Sequence, residues 1–152
     1  MPEVRPGVFR AIFAKVERAA EDAARSGLII VAESLVKQAK ANASNGSHSW
    51  GTPTPATPGS GPARISGTLV ASIVHTHVTP FAGGFEAKVG LTPGKTAPYG
   101  RRKTASSKYG SYLETGLRNG ATYPFLLPAT RMFHIQAEAA FRKTLSAAKW
   151  AL

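Results

Sequence analysis

The sequence lacks cysteine altogether, which excludes a disulfide framework and any metal site built on thiolates. It has no run of about 18 or more apolar residues, so we expect no membrane-spanning helix and no membrane partner. Its first ten residues, MPEVRPGVFR, lack the apolar core of a signal peptide, and we expect synthesis in the cytoplasm. With 43% hydrophobic and 18% charged residues, the chain is predicted to fold as a single domain over residues 1–152.

Acidic residues are also scarce: the chain has 8 Asp and Glu against 19 Lys and Arg, a formal net charge of +11. Such an excess favours nucleic acid, acidic protein surfaces or an anionic membrane surface as neighbours. Between residues 88 and 108 no acid occurs, and the basic residues there are Lys88, Lys95, Arg101, Arg102, Lys103 and Lys108. Prolines and glycines predict a long flexible loop over 92–108, which is either a solvated segment or a contact surface.

A long helix is predicted from residue 6 to about residue 43. The apolar residues of its first half recur at spacings of four and three: Phe9, Phe13, Val16, Ala20 and Ala23. The stripe resumes out of phase at Ile30, Leu35, Val36 and Ala39, so Gly27 is predicted to kink or break the helix. An apolar stripe of this length is longer than one small sheet can cover, which indicates self-association.

Residues 44–63 are rich in Ser, Gly, Thr and Pro, a composition that predicts a flexible linker or exposed loop. Trp50 is unusual in such a segment. We expect its ring to anchor the loop by packing on a protein surface. That surface belongs either to a neighbouring subunit or to the domain of its own chain.

The middle of the chain predicts a small antiparallel sheet. Residues 66–73 are typical of a turn or short helix that leads into a strand. The segments 73–79 and 85–91 alternate apolar and polar residues and predict two strands joined by a hairpin at 81–84, and a short strand or helical turn is expected over 109–114. A C-terminal helix is predicted from near Pro128 to about Lys149. The fold class is therefore α+β: a long N-terminal helix, a small antiparallel sheet with long loops, and a C-terminal helix.

Three patterns resemble chemical motifs but depart from them. Gly90–Thr96 is one residue too short for a phosphate-binding loop, and turn-forming residues follow where a helix is needed. Ser47–Gly51 departs from the G-x-S-x-G nucleophile motif at its first position. His75 and His77 share a predicted strand face, but no third metal ligand is near. We predict no catalytic residue, no metal site and no cofactor.

The stretch 109–129, YGSYLETGLRNGATYPFLLPA, is predicted to form a rigid corner that carries the C-terminal helix. Glycines at 116 and 120 permit positive φ, and the prolines at 124 and 128 fix φ on either side of three residues predicted to be buried, Phe125, Leu126 and Leu127. Glu114 is predicted to be a structural hydrogen-bond acceptor that pairs with an Arg or caps a turn. The predicted structural residues of this corner are Tyr109, Glu114, Gly116, Tyr123, Pro124, Phe125 and Pro128.

Motifs occur here in a distinctive order: Ser66-Gly67-Thr68-Leu69 with Ser72-Ile73, then Tyr109 with Glu114-Thr115-Gly116, then Tyr123-Pro124-Phe125-Leu126-Leu127-Pro128-Ala129. The ordered set resembles the head–tail joining proteins, or neck and tail-completion proteins, of long-tailed bacteriophages. The resemblance covers about residues 64 to 150, and the long first helix fits it. It implies a structural virion protein at the junction of capsid and tail, without enzymatic activity.

The resemblance also implies a cyclic ring of identical subunits, on the order of six or twelve, coaxial with portal and tail and in contact with other neck and tail proteins. Neck, tail-completion, tail-terminator and minor tail roles remain open within this class. We expect interfaces at the first helix, at Trp50, and at the basic residues from Lys95 to Lys108. The alternative is a non-specific nucleic-acid-binding module, because Tyr99 and Tyr109 are interleaved with the basic residues; contact with packaged DNA is compatible with either.

Overall fold

The computed structural model describes residues 6–45, 56–92, 96–99 and 102–148, and its fold is α+β, as predicted. The helices are α1 (Pro6–Asn42), α2 (Thr68–Ser72), α3 (Ser106–Thr115), α4 (Leu126–Arg131) and α5 (Phe133–Ala147). The strands are β1 (Ile73–His75), β2 (Thr79–Phe81), β3 (Gly84–Glu86), β4 (Val89–Leu91), β5 (Thr96–Tyr99) and β6 (Arg102–Ala105). No helix among these residues is long and apolar enough to cross a membrane.

Helices α1 and α5 pack against each other in antiparallel directions. Ser34 Oγ donates a hydrogen bond of 2.8 Å to Gln136 Oε1, and nearer the start of α1 Gly27 faces Phe141. The prediction at Gly27 was a kink or a break: the break is wrong, because α1 runs through Gly27 as one helix, and the kink stays a prediction. A Cβ at Gly27 would lie 2.6 Å from Phe141 Cδ1, so the close approach of α5 requires a glycine here.

Burial is uneven along α1. Val31, Leu35 and Ala39 are buried in the core, whereas Ile30, predicted on the same stripe, is 41% exposed because the helical repeat turns it outward. Phe13, in the N-terminal half, is 66% exposed. The 37 residues of α1 span about 55 Å and the 15 residues of α5 about 22 Å, so α5 covers only part of α1.

Strands β1 to β4 are the two arms of one long hairpin. β1 pairs with β4, and β2 pairs with β3, both antiparallel. Thr76 N–H donates to Lys88 O at 2.8 Å, whereas Thr79 pairs with Glu86. Residues 77–78 therefore oppose Ala87 alone, which is a β-bulge. The bulge divides the predicted strands 73–79 and 85–91 into shorter ones, and the predicted turn at 81–84 forms the tip.

The segment 92–108, predicted as a long loop, instead contains the β5–β6 pair and the start of α3. The register joins Thr96 to Ala105 and Tyr99 to Arg102. Pro98 has no backbone N–H to donate. It is tolerated because each strand of a two-stranded pair has one side on which no strand-to-strand hydrogen bonds form. The short element expected over 109–114 lies within α3, a helix of 10 residues.

The C-terminal helix begins near Pro128, as predicted, but forms in two parts. α4 ends at Arg131 and α5 begins at Phe133, with Met132 between them at φ −84° and ψ −7°. The apolar face of α5 packs on the core through Phe133, Ala137, Ala140 and Phe141. The predicted end at Lys149 lies outside the described residues.

The core lies where α1, α3, α4 and α5 meet the base of the long hairpin. Its buried residues include Val31, Leu35, Ala39, Ile73, Leu113, Phe125, Ala129 and Ala140. Residues 56–63, predicted as part of a flexible linker, are bonded to this body: Asn45 N–H donates to Pro62 O at 3.1 Å, and Gly59 N–H donates to Thr122 O at 2.8 Å. Backbone donors and acceptors thus hold a segment whose composition is typical of a linker.

Candidate functional site

Glu114 joins two elements of the corner. Its Oε1 accepts hydrogen bonds from the backbone N–H groups of Phe125 at 2.8 Å and Leu126 at 2.5 Å. The carboxylate, carried on α3, thereby caps the first turn of α4. Bonds from N–H donors to an ionised acceptor are stronger than neutral ones. The prediction that Glu114 is a structural acceptor that caps a turn is confirmed.

Between Glu114 and Phe125 the chain makes a compact turn. Gly116 has φ 127° and Gly120 has φ 79°, which confirms the predicted positive φ at both glycines. Leu117 N–H donates to Ala121 O at 2.8 Å, and Tyr123 N–H donates to Leu113 O at 2.7 Å. The turn is thus closed by backbone bonds, and its end returns to α3.

Phe125 is the centre of the corner. Its side chain is 0% exposed, as predicted, and its carbonyl oxygen accepts a hydrogen bond of 3.0 Å from Asn42 Nδ2 at the end of α1. Leu127, also predicted to be buried, is 53% exposed, so that prediction is wrong. In α4, Leu126 and Ala129 face the body, and the helical repeat turns Leu127 to the outside.

Gly110 is a structural residue that no sequence pattern identifies. A Cβ at this position of α3 would overlap Leu91 Cδ1 on β4 and would lie 3.4 Å from Phe125 Cζ. Glycine therefore allows α3 to approach the hairpin base closely. A glycine inside a helix is usually unfavourable, and its reason becomes visible only when the packing partner is known.

The two tyrosines of the corner border a small cavity. Tyr109 and Tyr123 line it together with Leu113, Leu117 and residues of the 56–65 segment, and its volume is about 140 Å³. Pockets for small molecules usually measure about 300 to 1,000 Å³. Its size therefore favours a packing gap over a ligand site.

The predicted basic residues lie on several elements. Arg102 and Lys103 are on β6, which leads directly into α3, where Lys108 is exposed. Lys88 lies on the long hairpin, 3.6 Å from Glu86 in an exposed ion pair of the kind that contributes little to stability. Lys95, Arg101 and Trp50, also predicted at interfaces, lie outside the described residues. The structure therefore places β6 and the first turn of α3 in one continuous basic segment.

Two of the three motifs weighed for chemistry fall on described residues, and neither forms a site; Ser47–Gly51 lies outside the described residues. Gly90 lies in β4, and Thr96 begins β5 rather than a helix that could bind phosphate. His75 is the last residue of β1, with its Nδ1 2.9 Å from Thr76 O, whereas His77 lies beyond the strand. Among the described residues, no group of three or more His, Asp or Glu side chains is arranged to hold a metal ion.

Comparisons with known proteins give no relative. No protein-family model matches the chain. No curated protein and no solved structure is significantly similar to it.

Proposed function

We propose that this chain is a structural protein of the neck of a long-tailed bacteriophage, where it forms a ring that joins the capsid portal or stopper to the tail during assembly. One observation carries the proposal. The motifs of the resemblance, which are separate in sequence, meet at one place in the fold. Glu114 caps the turn at Phe125, and Leu69 and Ile73 of the first motif pack in the same core as Phe125.

The arrangement suits assembly rather than catalysis. The corner fixes α4 and α5 against α1, and the long hairpin and the basic segment of β6 and α3 are joined to this body. Elements held on a rigid body dock with little loss of conformational entropy. Tail-terminator and minor tail roles would use the same corner, and they are variants of one structural class.

Phage assembly in the absence of the chain tests the proposal. Without it, we expect DNA-filled heads and complete tails to accumulate separately in electron micrographs, and the wild-type chain to restore joined particles. A variant with Arg102, Lys103 and Lys108 changed to Glu should unfold at the same urea concentration as wild type yet join fewer particles. Joined, infectious particles formed without the chain would refute the neck role.

The basic segment favours a second candidate, non-specific nucleic-acid binding. Arg102, Lys103 and Lys108 follow one another from β6 into α3, and no acid lies between Lys88 and Lys108. Each phosphate contact releases counterions, so affinity should fall steeply with salt. Anisotropy titrations with two unrelated DNA duplexes separate the candidates: equal, salt-steep binding at about 0.15 M salt favours nucleic acid, and its absence favours the neck protein.

A further inference from the structure

β6 is an edge strand with one open side. Among the described residues, it pairs with β5 and with no other strand. β5 lies against α2, whereas β6 leads into α3. A strand at the edge of a sheet presents backbone N–H and C=O groups that can pair with another chain.

The register of the pair indicates which groups of β6 face the open side. Opposite residues of an antiparallel pair either exchange both of their hydrogen bonds or point their N–H and C=O groups away from each other, and the two kinds alternate. Lys103 lies opposite Pro98, which has no N–H to exchange and is therefore placed where this group points away from the partner strand. The N–H and C=O of Lys103 thus point away from β5, and Ala105, two residues on, presents its N–H on the same side.

The charge around this edge has one sign. No Asp or Glu occurs from residue 87 to residue 113. The basic residues of β6 and the start of α3 are Arg102, Lys103 and Lys108. Glu114, the next acid along the chain, accepts hydrogen bonds at the start of α4. A partner that pairs with this edge therefore needs acidic side chains.

Two other occupants fit this edge less well. Like charges directly opposite each other in a sheet are destabilising, and Lys on an edge strand opposes edge-to-edge association, which disfavours a second copy of β6. Nucleic acid would match the charge, but its phosphate oxygens only accept hydrogen bonds, so the C=O of Lys103 would lack a donor. An extended acidic peptide supplies N–H groups, C=O groups and negative charge together.

We propose that β6 binds an acidic, extended segment of another protein by strand addition, with the segment paired to the outward N–H and C=O of Lys103. In this mode of recognition the main-chain hydrogen bonds give affinity, and the side chains that alternate along the added strand give specificity. The inference deepens the proposed function and rests on it for its biological setting, because the partner is then a neighbouring neck or tail protein.

Fluorescence anisotropy of the purified full-length chain tests the contact. The probe is a fluorescein-labelled peptide of about ten alternating Thr and Glu residues, since Thr favours an extended chain. We expect a Kd of about 100 µM or less at about 0.15 M salt. Lys103→Thr removes one charge and should raise the Kd about threefold. Lys103→Pro removes the same charge and also the outward N–H, and it should raise the Kd about tenfold more.

Two controls separate strand pairing from charge. Lys88→Thr, at an exposed base of the long hairpin, should change the Kd less than about twofold. The same peptide methylated on its backbone nitrogens keeps its charge but has no N–H donors, and it should bind the wild-type chain about tenfold more weakly. This second control needs no variant, so it tests the contact even if Lys103→Pro alters the circular dichroism of the chain.

Three results would overturn the inference: no binding of the peptide at about 1 mM, the same Kd for methylated and unmodified peptides, or the same Kd for a folded Lys103→Pro variant and Lys103→Thr. A DNA duplex that binds where the peptide does not would also overturn it, in favour of nucleic acid. If the peptide behaves as expected but phage particles join without the chain, the neck role fails and strand addition stands. If joining requires the chain but the peptide does not bind, the neck role stands and strand addition fails.

Discussion

The two ends of α1 differ in what surrounds them. At the C-terminal end, Ala39 and Ala43 are buried and Asn42 bonds to the backbone of the corner. At the N-terminal end, Phe13, Glu17 and Glu21 are exposed. Both halves carry apolar residues at helical spacing, so the pattern alone does not distinguish them. The burial of an apolar stripe therefore depends on how far the partner elements reach along the helix.

The largest effect is expected at the buried end. Phe125→Ala should lower the free energy of unfolding by about 3 to 5 kcal/mol, because it removes a fully buried ring and leaves a cavity beneath α1 and α3. Urea titration measures the change. The matched control is Leu127→Ala, two residues away and exposed, which should cost less than about 1 kcal/mol. Equal losses for the two variants would show that the corner is not the centre of the fold.

Gly27→Ala tests why a glycine lies in the middle of α1. If Gly27 served only to loosen the helix, alanine would stabilise the protein by about 1 kcal/mol through helix propensity. The contact with Phe141 predicts the opposite sign, a loss of about 1 to 3 kcal/mol from overpacking. Chemical denaturation gives the sign, and Phe141→Leu in the same chain should recover part of the loss. A more stable Gly27→Ala variant would contradict the close approach of α5.

Glu114→Ala should cost about 1 to 2 kcal/mol, because the N–H groups of Phe125 and Leu126 lose their acceptor. Glu114→Gln keeps an oxygen in place and should lose less, since only the charge is removed. The control is Glu33→Ala, an exposed acid on α1. Urea titration measures the loss of unfolding free energy in each variant. If the Gln variant lost as much as the Ala variant, or if either lost no more than the control, Glu114 would not act as a charged cap of α4.

Much of this fold could be predicted from local pattern. The extent of α1, the helix that precedes β1, the tip of the long hairpin and the positive φ of Gly116 and Gly120 all follow from helical spacing, alternation and glycine placement. The role of Glu114 could be anticipated because a lone acid in a basic region has few structural uses. These features depend on residues close together in the chain.

What could not be predicted depends on distant partners. Elements far away in sequence decide which face of α1 and α4 is covered, and the helical repeat then leaves Ile30 and Leu127 on the uncovered faces. The need for glycine at 27 and 110 also comes from such elements. The pairing of β5 with β6 could not be predicted, because the proline and glycine residues of the segment 92–108 are typical of loops. The bulge at 77–78 is a one-residue change of register that alternation alone does not reveal.

The smallest expected effect lies between the two ends of α1. Arg25 Cζ lies 5.0 Å from the centre of the Phe85 ring, a contact between α1 and the long hairpin. Arg25→Ala should cost about 0.5 to 1 kcal/mol, the usual contribution of a cation–π contact at an exposed position. Lys37→Ala, an exposed base on the same helix, corrects for helix propensity. If Arg25→Ala and Lys37→Ala give the same urea midpoint, the contact between Arg25 and Phe85 adds nothing measurable to stability. The hairpin is then held against α1 by backbone pairing and apolar packing alone.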